Sequence, residues 1–282
     1  MDIFANTPSP EEMPAFDTAQ SSDVLEQFGP LASHYDELMQ VVPYDDWTEY
    51  VMTLFTFAGH TPRRVLDCAC GTGNISFQLD KLGLEVTGVD IAAGMIRVAN
   101  EKVAALPASE NSRLRFYEAD LTSFDLDETF DSATCLYDSL NYILDAEKLQ
   151  AAFEHIGRHV APGGVFVFDM NSDYAFIADL FTQNDYNPGK NLHYDWRAEF
   201  NEETRVCSVT MNFHRIAPDG TVQVFQEMHR ERAYTLDEVK RMLRETGWIL
   251  EFAFDAYTLN PPHDRSERWY FVARRPGELV DS

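Results

Sequence analysis

Short apolar segments alternate with helical patterns between residues 65 and 169, and this alternation restricts the fold more than any other feature of the chain. The strand-like segments are residues 65–68, 84–89, 114–118, 132–136 and 165–169. Leu149, Phe153, Ile156 and Val160 form one apolar stripe at helical spacing ahead of the last of them. Because strands that alternate with helices build βαβ units, the sequence predicts an α/β fold with a Rossmann-like, doubly wound parallel sheet.

The spacing of apolar residues changes to a period of two between residues 171 and 234. Three alternating stretches, 192–200, 205–213 and 222–232, are separated by NEET and by APDG, which carries a turn signal. We therefore expect a small insertion of three antiparallel strands. Its polar face, most of which we expect to be solvated, carries His193, Asp195, Arg197, Asn212, His214, Glu227 and His229.

After the insertion the chain returns to helical and strand patterns. Thr235 and Glu238 form a Thr-x-x-Glu capping box ahead of an apolar helical stripe, and Gly247 provides the stop. Residues 249–256 and 268–273 are predicted as closing strands, which brings the large sheet to seven strands. We expect two helices, at residues 24–38 and 45–59, before the first strand.

These patterns divide the chain into three parts. Residues 1–25 are rich in Pro, Ser, Thr and acidic residues and are predicted to be a mobile acidic tail. Residues 26–171 plus 235–282 are predicted to form the Rossmann-like domain. Residues 172–234 are predicted to form the inserted antiparallel β subdomain.

The net charge of the 282-residue chain is −25, from 47 acidic and 22 basic side chains. Such a field repels nucleic-acid phosphates and anionic lipid, so we expect neither a nucleic-acid nor a membrane partner. No apolar run reaches the length of a membrane span, and the first residues lack the basic region of a signal peptide. The four cysteines show no disulfide framework, and we expect a soluble cytoplasmic protein.

The segment VLDCACGTGN (Val65 to Asn74) is compatible with a cysteine metal site, a phosphate-binding glycine loop or the cofactor turn of a methyl-transfer enzyme. Cys68 and Cys70 have no second pair at a zinc-like spacing, so we expect no metal. No lysine follows the glycines as a Walker loop requires, and the dinucleotide fingerprint is only approximated.

Asp67, at the end of the first strand, distinguishes between NAD and S-adenosylmethionine as the cofactor of this turn. A carboxylate there would repel the pyrophosphate of NAD, whereas it would attract the sulfonium and ammonium groups of S-adenosylmethionine. Ala69, Gly71 and Gly73 are small enough for a close approach of a ligand to the backbone. The turn therefore favours S-adenosylmethionine.

Two further aspartates follow the next two strands. Asp90 can accept hydrogen bonds from both ribose hydroxyls of an adenosine cofactor. Asp120 can accept a hydrogen bond from the adenine amino group, and Ile91 and Met95 can lie on either side of the adenine ring. Open α/β sheets bind ligands at the carboxyl ends of their strands, where these aspartates would meet Asp67. The expected cofactor contacts are Tyr35, Asp67, Ala69, Gly71, Gly73, Asn74, Asp90, Ile91, Met95, Asp120, Leu121 and Leu136.

The order VLDCACGTGN, VTGVDIAAGMI, EADL, FDSATCLYDSLNYI and APGGVFVFDMN resembles class I S-adenosylmethionine-dependent methyltransferases over residues 35–171. The stretches YDELM, YDSLNYI, EMHRERAY and PPHDRSERWYFVAR are similar to the YqeM-like bacterial group and extend the resemblance to nearly the whole chain. The resemblance implies a small antiparallel sheet beside the main domain and, in Tyr35, a residue that closes over the cofactor. Ala69 departs from the glycine of many class I enzymes.

Methyl transfer from a sulfonium requires no covalent enzyme intermediate, so a catalytic side chain is not obligatory. The loop after the fourth strand supplies the candidates Tyr137 and Asp138, of which Asp138 can accept a proton or hold a cationic amine. His229 is a third candidate because it lies in EMHRERAY.

The leading interpretation of the sequence is S-adenosylmethionine-dependent methylation of a small molecule. The alternatives are a tRNA or protein methyltransferase, a non-catalytic S-adenosylmethionine-binding protein and an NAD-dependent oxidoreductase. The sequence specifies neither the methyl acceptor nor the oligomeric state.

Overall fold

The computed structural model describes residues 28, 30–107, 112–185, 191–217 and 219–277. Its strands are β1 Arg64–Cys68, β2 Glu85–Asp90, β3 Arg115–Glu118, β4 Phe130–Cys135, β5 Val160–Asn171, β6 Gln183–Asp185, β7 Leu192–Asn201, β8 Val206–Ile216, β9 Val222–Arg232, β10 Ile249–Asp255 and β11 Arg268–Arg274. Seven of these described strands form one sheet in the order β10-β11-β5-β4-β1-β2-β3. β1 to β5 are parallel, and β11 runs antiparallel to both β5 and β10. The predicted Rossmann-like α/β fold is confirmed.

Helices cover both faces of the large sheet. They are α1 Tyr35–Leu38, α2 Tyr44–Phe57, α3 Asn74–Lys81, α4 Ala93–Ala104, α5 Ala146–His159, α6 Asp173–Ile177 and α7 Leu236–Glu245, with 3₁₀ segments at Pro30–Ser33, Met39–Val41 and Ser139–Tyr142. The apolar stripes of α5 and α7 pack on one face of the sheet. Those of α2, α3 and α4 pack on the other, which makes the sheet doubly wound.

The strand order reverses between β1 and β4. From β1 the chain proceeds through β2 and β3 to one edge, and from β4 it proceeds through β5 towards the other. A reversal of this kind opens a crevice at the carboxyl ends of the strands, where open α/β sheets bind their ligands. Both the glycine loop after β1 and the loop after β4 begin at this crevice.

The insertion contains four described strands, not the three that the sequence predicts. They form a separate antiparallel sheet in the order β6-β7-β8-β9. The additional strand, β6, has only three residues, and Gln183 pairs with Trp196 while Asp185 pairs with Tyr194. A segment so short and polar has no alternating apolar pattern, so only its pairing with β7 reveals it as a strand.

The expectation of a solvated polar face is wrong for several residues of this sheet. Val209 pairs directly with His229, and Met211 with Glu227. Directly paired residues project from the same face, so Glu227 and His229 lie on the apolar inner face, where both are buried. His193 and His214, on the opposite face, are also buried, whereas Arg197 is exposed as expected.

The segment before the first strand is bent where the sequence predicts one helix over residues 24–38. Its described part consists of the 3₁₀ turn Pro30–Ser33, the short helix α1 and the 3₁₀ turn Met39–Val41. Leu31, Tyr35 and Leu38 still share one side of it, because all three pack against the core of the small sheet. The predicted tail, residues 1–25, lies outside the described residues, and the division into two domains stays a prediction. Within the described residues, no helix is both long and apolar enough to span a membrane.

The capping box predicted at Thr235 is present at the start of α7. The Thr235 hydroxyl accepts from the backbone N–H of Glu238 at 3.2 Å, and the Glu238 carboxylate accepts from the backbone N–H of Thr235 at 2.7 Å. Two N–H groups that the helix itself leaves unbonded are therefore satisfied. This fixes where α7 begins to cover the sheet.

Replacing Thr235 by Ala should lower the free energy of unfolding by about 1 kcal/mol, because the first turn of α7 loses its cap. Urea denaturation followed by circular dichroism measures the change. Thr53→Ala is the matched control, since Thr53 is exposed inside α2 and its hydroxyl bonds only to the preceding turn. An equal effect of the two substitutions would show that the box contributes nothing.

Candidate active site

The glycine loop between β1 and α3 is built from left-handed residues. Ala69, Gly71 and Gly73 have φ values of 53°, 56° and 82°. At Gly73 an added Cβ would lie 2.7 Å from Cζ of Phe116, so no side chain fits there without movement of that ring. The loop therefore turns sharply at the crevice.

Asp67 lies beneath this loop and is buried. Its carboxylate accepts hydrogen bonds from the hydroxyls of Ser76 and Thr134, the latter at 2.9 Å. Burial, the largest effect, raises the pKa of Asp67 from its ordinary value to about 6 in spite of these two bonds. The ionised form is thus held at an energetic cost that a nearby cation would reduce.

Asp90 ends β2 on the other side of the loop. Its two carboxylate oxygens accept from the backbone N–H groups of Gly71 and Ala92, both at 2.8 Å. Burial raises the pKa of Asp90 above its ordinary value. The side chain is fixed in position, yet each oxygen retains lone pairs that can accept from a ligand hydroxyl.

Ile91 and Met95 follow Asp90 in the same edge of the crevice. Met95 is buried in α4, whereas Ile91 is 67% exposed. The exposed Ile91 side chain suits a flat apolar ligand that would cover it.

A cavity of about 390 Å³ joins these residues to the loop after β4 and to the small sheet. Twelve of the residues that the sequence predicts as site residues line it: Tyr35, Asp67, Ala69, Gly71, Asn74, Asp90, Ile91, Met95, Leu136, Tyr137, Asp138 and His229. The structure thus brings together residues that are up to 194 positions apart in the sequence, from Tyr35 to His229.

Three predicted cofactor residues are not among the lining residues. Asp120 accepts from the backbone N–H and the hydroxyl of Thr122, both at 2.8 Å, as a local turn residue does. Leu121 is buried in the core of the large sheet. Gly73 faces Phe116. Asp120 nevertheless lies near the end of β2, because the backbone N–H of the preceding residue, Ala119, donates to the Asp90 carbonyl at 2.9 Å.

The N-terminal segment covers the crevice and is tied to the glycine loop. The carboxylate of Asp36 accepts from the Thr72 hydroxyl at 2.6 Å, from the Asn74 amide at 3.0 Å and from the Lys102 ammonium at 2.9 Å. These bonds hold α1 against the start of α3. Tyr35 consequently lies over the cavity, where burial raises the pKa of its hydroxyl.

The loop after β4 is held in an uncommon conformation by Asp169. Tyr137 and Asp138 have φ values of 65° and 52°, a region that non-glycine residues occupy at a cost. Their backbone N–H groups donate to the two oxygens of Asp169, at 2.6 and 3.1 Å. The guanidinium of Arg268 donates to Asp169 and, at 2.7 Å, to Asp138. Asp138 is therefore paired with a cation inside the protein.

His229 uses both ring nitrogens within the protein. Its Nδ1 lies 3.0 Å from the hydroxyl of Tyr142, and its Nε2 lies 2.9 Å from a carboxylate oxygen of Glu227. Glu227 also accepts from the backbone N–H groups of Phe28 and Leu31, at 3.1 and 2.7 Å. This arrangement suits His229 for positioning Tyr142 and the N-terminal segment better than for direct proton transfer.

Sequence reasoning missed three charged residues of the site: Asp169, Glu231 and Arg268. Glu231 and Arg268 line the cavity, and Asp169 lies directly behind it. A signal was available, because each occurs in a stretch that carries the family resemblance: APGGVFVFDMN, EMHRERAY and PPHDRSERWYFVAR. What the sequence did not show is that these stretches converge.

The cysteines of the loop are packing residues in the described structure. Cys68 is buried and Cys70 is partly buried, both are free thiols, and burial raises the pKa of both. The described residues include no group of three or more His, Cys, Asp or Glu side chains placed to hold a metal ion.

Comparison with known proteins identifies the family. Residues 65–164 match the model of the methyltransferase domain. The YqeM protein of Bacillus subtilis (strain 168), whose name gives methyltransferase activity as a prediction, is 30% identical over 251 residues, which are 88% of this chain and 97% of that protein. An N,N-dimethyltransferase of dTDP-3-amino-3,6-dideoxy-alpha-D-glucopyranose from Streptomyces fradiae is 24% identical over 84% of this chain and 91% of that protein.

A solved structure agrees with these sequence matches. A crystal structure of an S-adenosylmethionine-dependent methyltransferase from Clostridium acetobutylicum ATCC 824 superimposes with a TM-score of 0.77 and 26% identity, covering 89% of this chain and all of that one. The chain therefore belongs to the class I S-adenosylmethionine-dependent methyltransferases, together with YqeM.

Proposed function

We propose that this enzyme transfers the methyl group of S-adenosylmethionine to a small-molecule acceptor held between the two sheets. One observation carries the proposal. The same cavity is lined at one end by the glycine loop and Asp90, and at the other by Trp196, Val209 and Met211 of the small sheet. A donor at the first end and an acceptor at the second would share one cavity.

The residues at the first end fit the donor. Asp67 and Asp90 are carboxylates whose ionised forms are disfavoured by burial, and the donor carries a sulfonium and an ammonium group. Asp90 can accept from ribose hydroxyls, and the exposed Ile91 offers an apolar surface to the adenine. When bound, S-adenosylmethionine supplies an activated methyl group, so the protein needs to orient the two reactants and to exclude water.

The second end is suited to a compact acceptor. Trp196, Val209, Met211 and Tyr142 provide largely apolar walls. The indole N–H of Trp196 has no hydrogen-bond partner among the described residues and can donate to a ligand. The Streptomyces fradiae relative acts on a nucleotide-linked amino sugar, which supports a small-molecule acceptor here as well.

A tRNA or protein acceptor remains the competing assignment, and the net charge of −25 disfavours RNA. Incubation of the enzyme with S-adenosylmethionine and either a pool of small metabolites or total tRNA separates the two. We expect S-adenosylhomocysteine to accumulate with the metabolite pool alone. Accumulation with tRNA alone would overturn the proposal.

Replacing Asp90 by Ala should weaken S-adenosylmethionine binding by about ten- to a hundredfold, as expected when hydrogen bonds to a charged acceptor are lost. Isothermal titration calorimetry measures the affinity. Asp125→Ala, at a side chain that is 92% exposed, is the control. The same titration on Asp120→Ala tests the prediction that Asp120 binds the adenine. Unchanged affinity of Asp90→Ala would remove Asp90 from the donor site.

Replacing Asp67 by Asn should stabilise the ligand-free protein above pH 6 while weakening its preference for S-adenosylmethionine over S-adenosylhomocysteine. The folded state raises the pKa of Asp67 from its ordinary value to about 6. Between these two pH values folding is coupled to the uptake of a proton. Above pH 6 the group is ionised in both states, and its burial destabilises the folded state. A shift of this size corresponds to at most about 3 kcal/mol.

Thermal unfolding at pH 8 and at pH 4.5 measures the stability effect of Asp67→Asn. The gain should be present at pH 8 and should shrink towards pH 4.5, where Asp67 is already protonated in the folded protein. A variant that is less stable than the wild type at pH 8 would mean that the bonds from Ser76 and Thr134 outweigh burial.

A further inference from the structure

The inner face of the small sheet is apolar on β7 and β8 but ionisable on β9. Cys207, Val209 and Met211 of β8 are buried there, whereas the β9 residues paired with them are Glu231, His229 and Glu227. Glu227 and His229 bond to each other and to the surrounding chain. The role of Glu231 is not explained by these contacts.

Glu231 is 3% exposed and lines the cavity at its acceptor end. One of its oxygens accepts from the side-chain amide of Asn171 at 3.1 Å. Asn171 is itself fixed by Asn141, whose side-chain oxygen accepts from the Asn171 backbone N–H at 3.0 Å. The carboxyl group is therefore held in position by the 3₁₀ segment Ser139–Tyr142 and the end of β5.

A second carboxylate, Asp138, is the strongest charged neighbour of Glu231. Burial and then the charge of Asp138 raise the pKa of Glu231 well above its ordinary value. Arg268 donates hydrogen bonds to both Asp138 and Asp169, so its guanidinium is already shared by two carboxylates. The charge of Arg268 acts in the opposite direction and lowers the pKa of Glu231. Two further titratable groups interact with Glu231, the hydroxyl of Tyr142 and the thiol of Cys207, whose pKa values are raised by burial and then by the charge of Glu231.

The cavity has an excess of acidic groups beyond what the donor requires. Among the described residues that line it are four carboxylic acids, Asp67, Asp90, Asp138 and Glu231, against one guanidinium, Arg268. Asp67 and Asp90 lie at the donor end, and Asp138 and Glu231 at the acceptor end. Asp138 is paired with Arg268, whereas burial disfavours the ionised form of Glu231, and a cation that comes with the acceptor would favour that form.

We propose that the acceptor is a primary or secondary amine that binds as its ammonium ion beside Glu231 and transfers a proton to the Glu231 carboxylate. This inference rests on the proposed function. The proton leaves the acceptor nitrogen for a Glu231 oxygen. The freed nitrogen lone pair forms the new N–CH₃ bond as the C–S bond breaks, and the electrons of that bond remain on sulfur.

The elevated proton affinity of Glu231 suits this step. A carboxylate whose ionised form is disfavoured by burial and by a neighbouring negative charge is a stronger base than an exposed one. Asp138 is less suited to the task, because its carboxylate already accepts a hydrogen bond from Arg268. A neutral alcohol would bring no positive charge to Glu231, and an anionic acceptor would be repelled.

Amine recognition can be tested with two probes of nearly equal shape, benzylamine and benzyl alcohol. Each is titrated calorimetrically into the protein saturated with S-adenosylhomocysteine, near pH 7.5. We expect the wild type to bind benzylamine about tenfold or more tightly than benzyl alcohol, as befits a charge-assisted contact. Glu231→Gln should lose this preference. Glu199→Gln, an exposed residue of the same sheet, should keep it.

Equal binding of the two probes by the wild type, or an unchanged preference in Glu231→Gln, would overturn the inference. Gln at position 231 retains an oxygen that can accept from Asn171, so a merely structural role of Glu231 would leave the preference intact. An unchanged melting temperature and unchanged S-adenosylhomocysteine affinity confirm that Glu231→Gln is folded.

A turnover screen with methyl-labelled S-adenosylmethionine separates this inference from the proposed function. Labelled products from small amines, with a rate in Glu231→Gln lower by about 10²–10⁴-fold, support both. Labelled products from alcohols, thiols or carbon acceptors but from no amine would leave the proposed function standing and overturn the inference. Labelling of tRNA or protein alone would overturn both.

Discussion

A guanidinium shared between two carboxylates fixes the geometry on which the site depends. Arg268 of β11 donates to Asp169 at the end of β5 and to Asp138 in the loop after β4. Asp169 in turn holds two consecutive backbone N–H groups of that loop, which keeps it left-handed. Removing one partner of such a buried pair leaves an uncompensated charge, at a cost of about 3–5 kcal/mol. The loop at the acceptor end is thus positioned by β5 and β11, which lie on the same side of the strand-order reversal as β4.

The cavity also shows how a binding site opposes stability. Burial raises the pKa values of Asp67, Asp90 and Glu231, so the ionised form of each carboxyl group is disfavoured in the protein without ligand. A cationic donor and a cationic acceptor would each relieve part of that cost. Binding free energy is gained most where the ligand-free protein is least stable, so affinity does not require many direct contacts.

Much of the fold could be predicted from the sequence because its signals are local. The alternation of strand and helix patterns predicts the large sheet, and the capping box predicts where α7 begins. The faces of the small sheet could not be assigned, because a period of two shows that Glu227 and His229 share a face but not which face is inward. The position of Arg268 depends on pairing with Asp138 across 130 residues, and no local pattern reports such a contact.

The N-terminal segment that covers the crevice has a consequence for the order in which the molecule folds. The backbone N–H groups of Phe28 and Leu31 bond to Glu227, which lies 199 and 196 residues further along the chain. Contacts of such long sequence separation are closed late, because the intervening chain must first be ordered. The part of the described chain that leaves the ribosome first therefore completes its site only after β9 has been made.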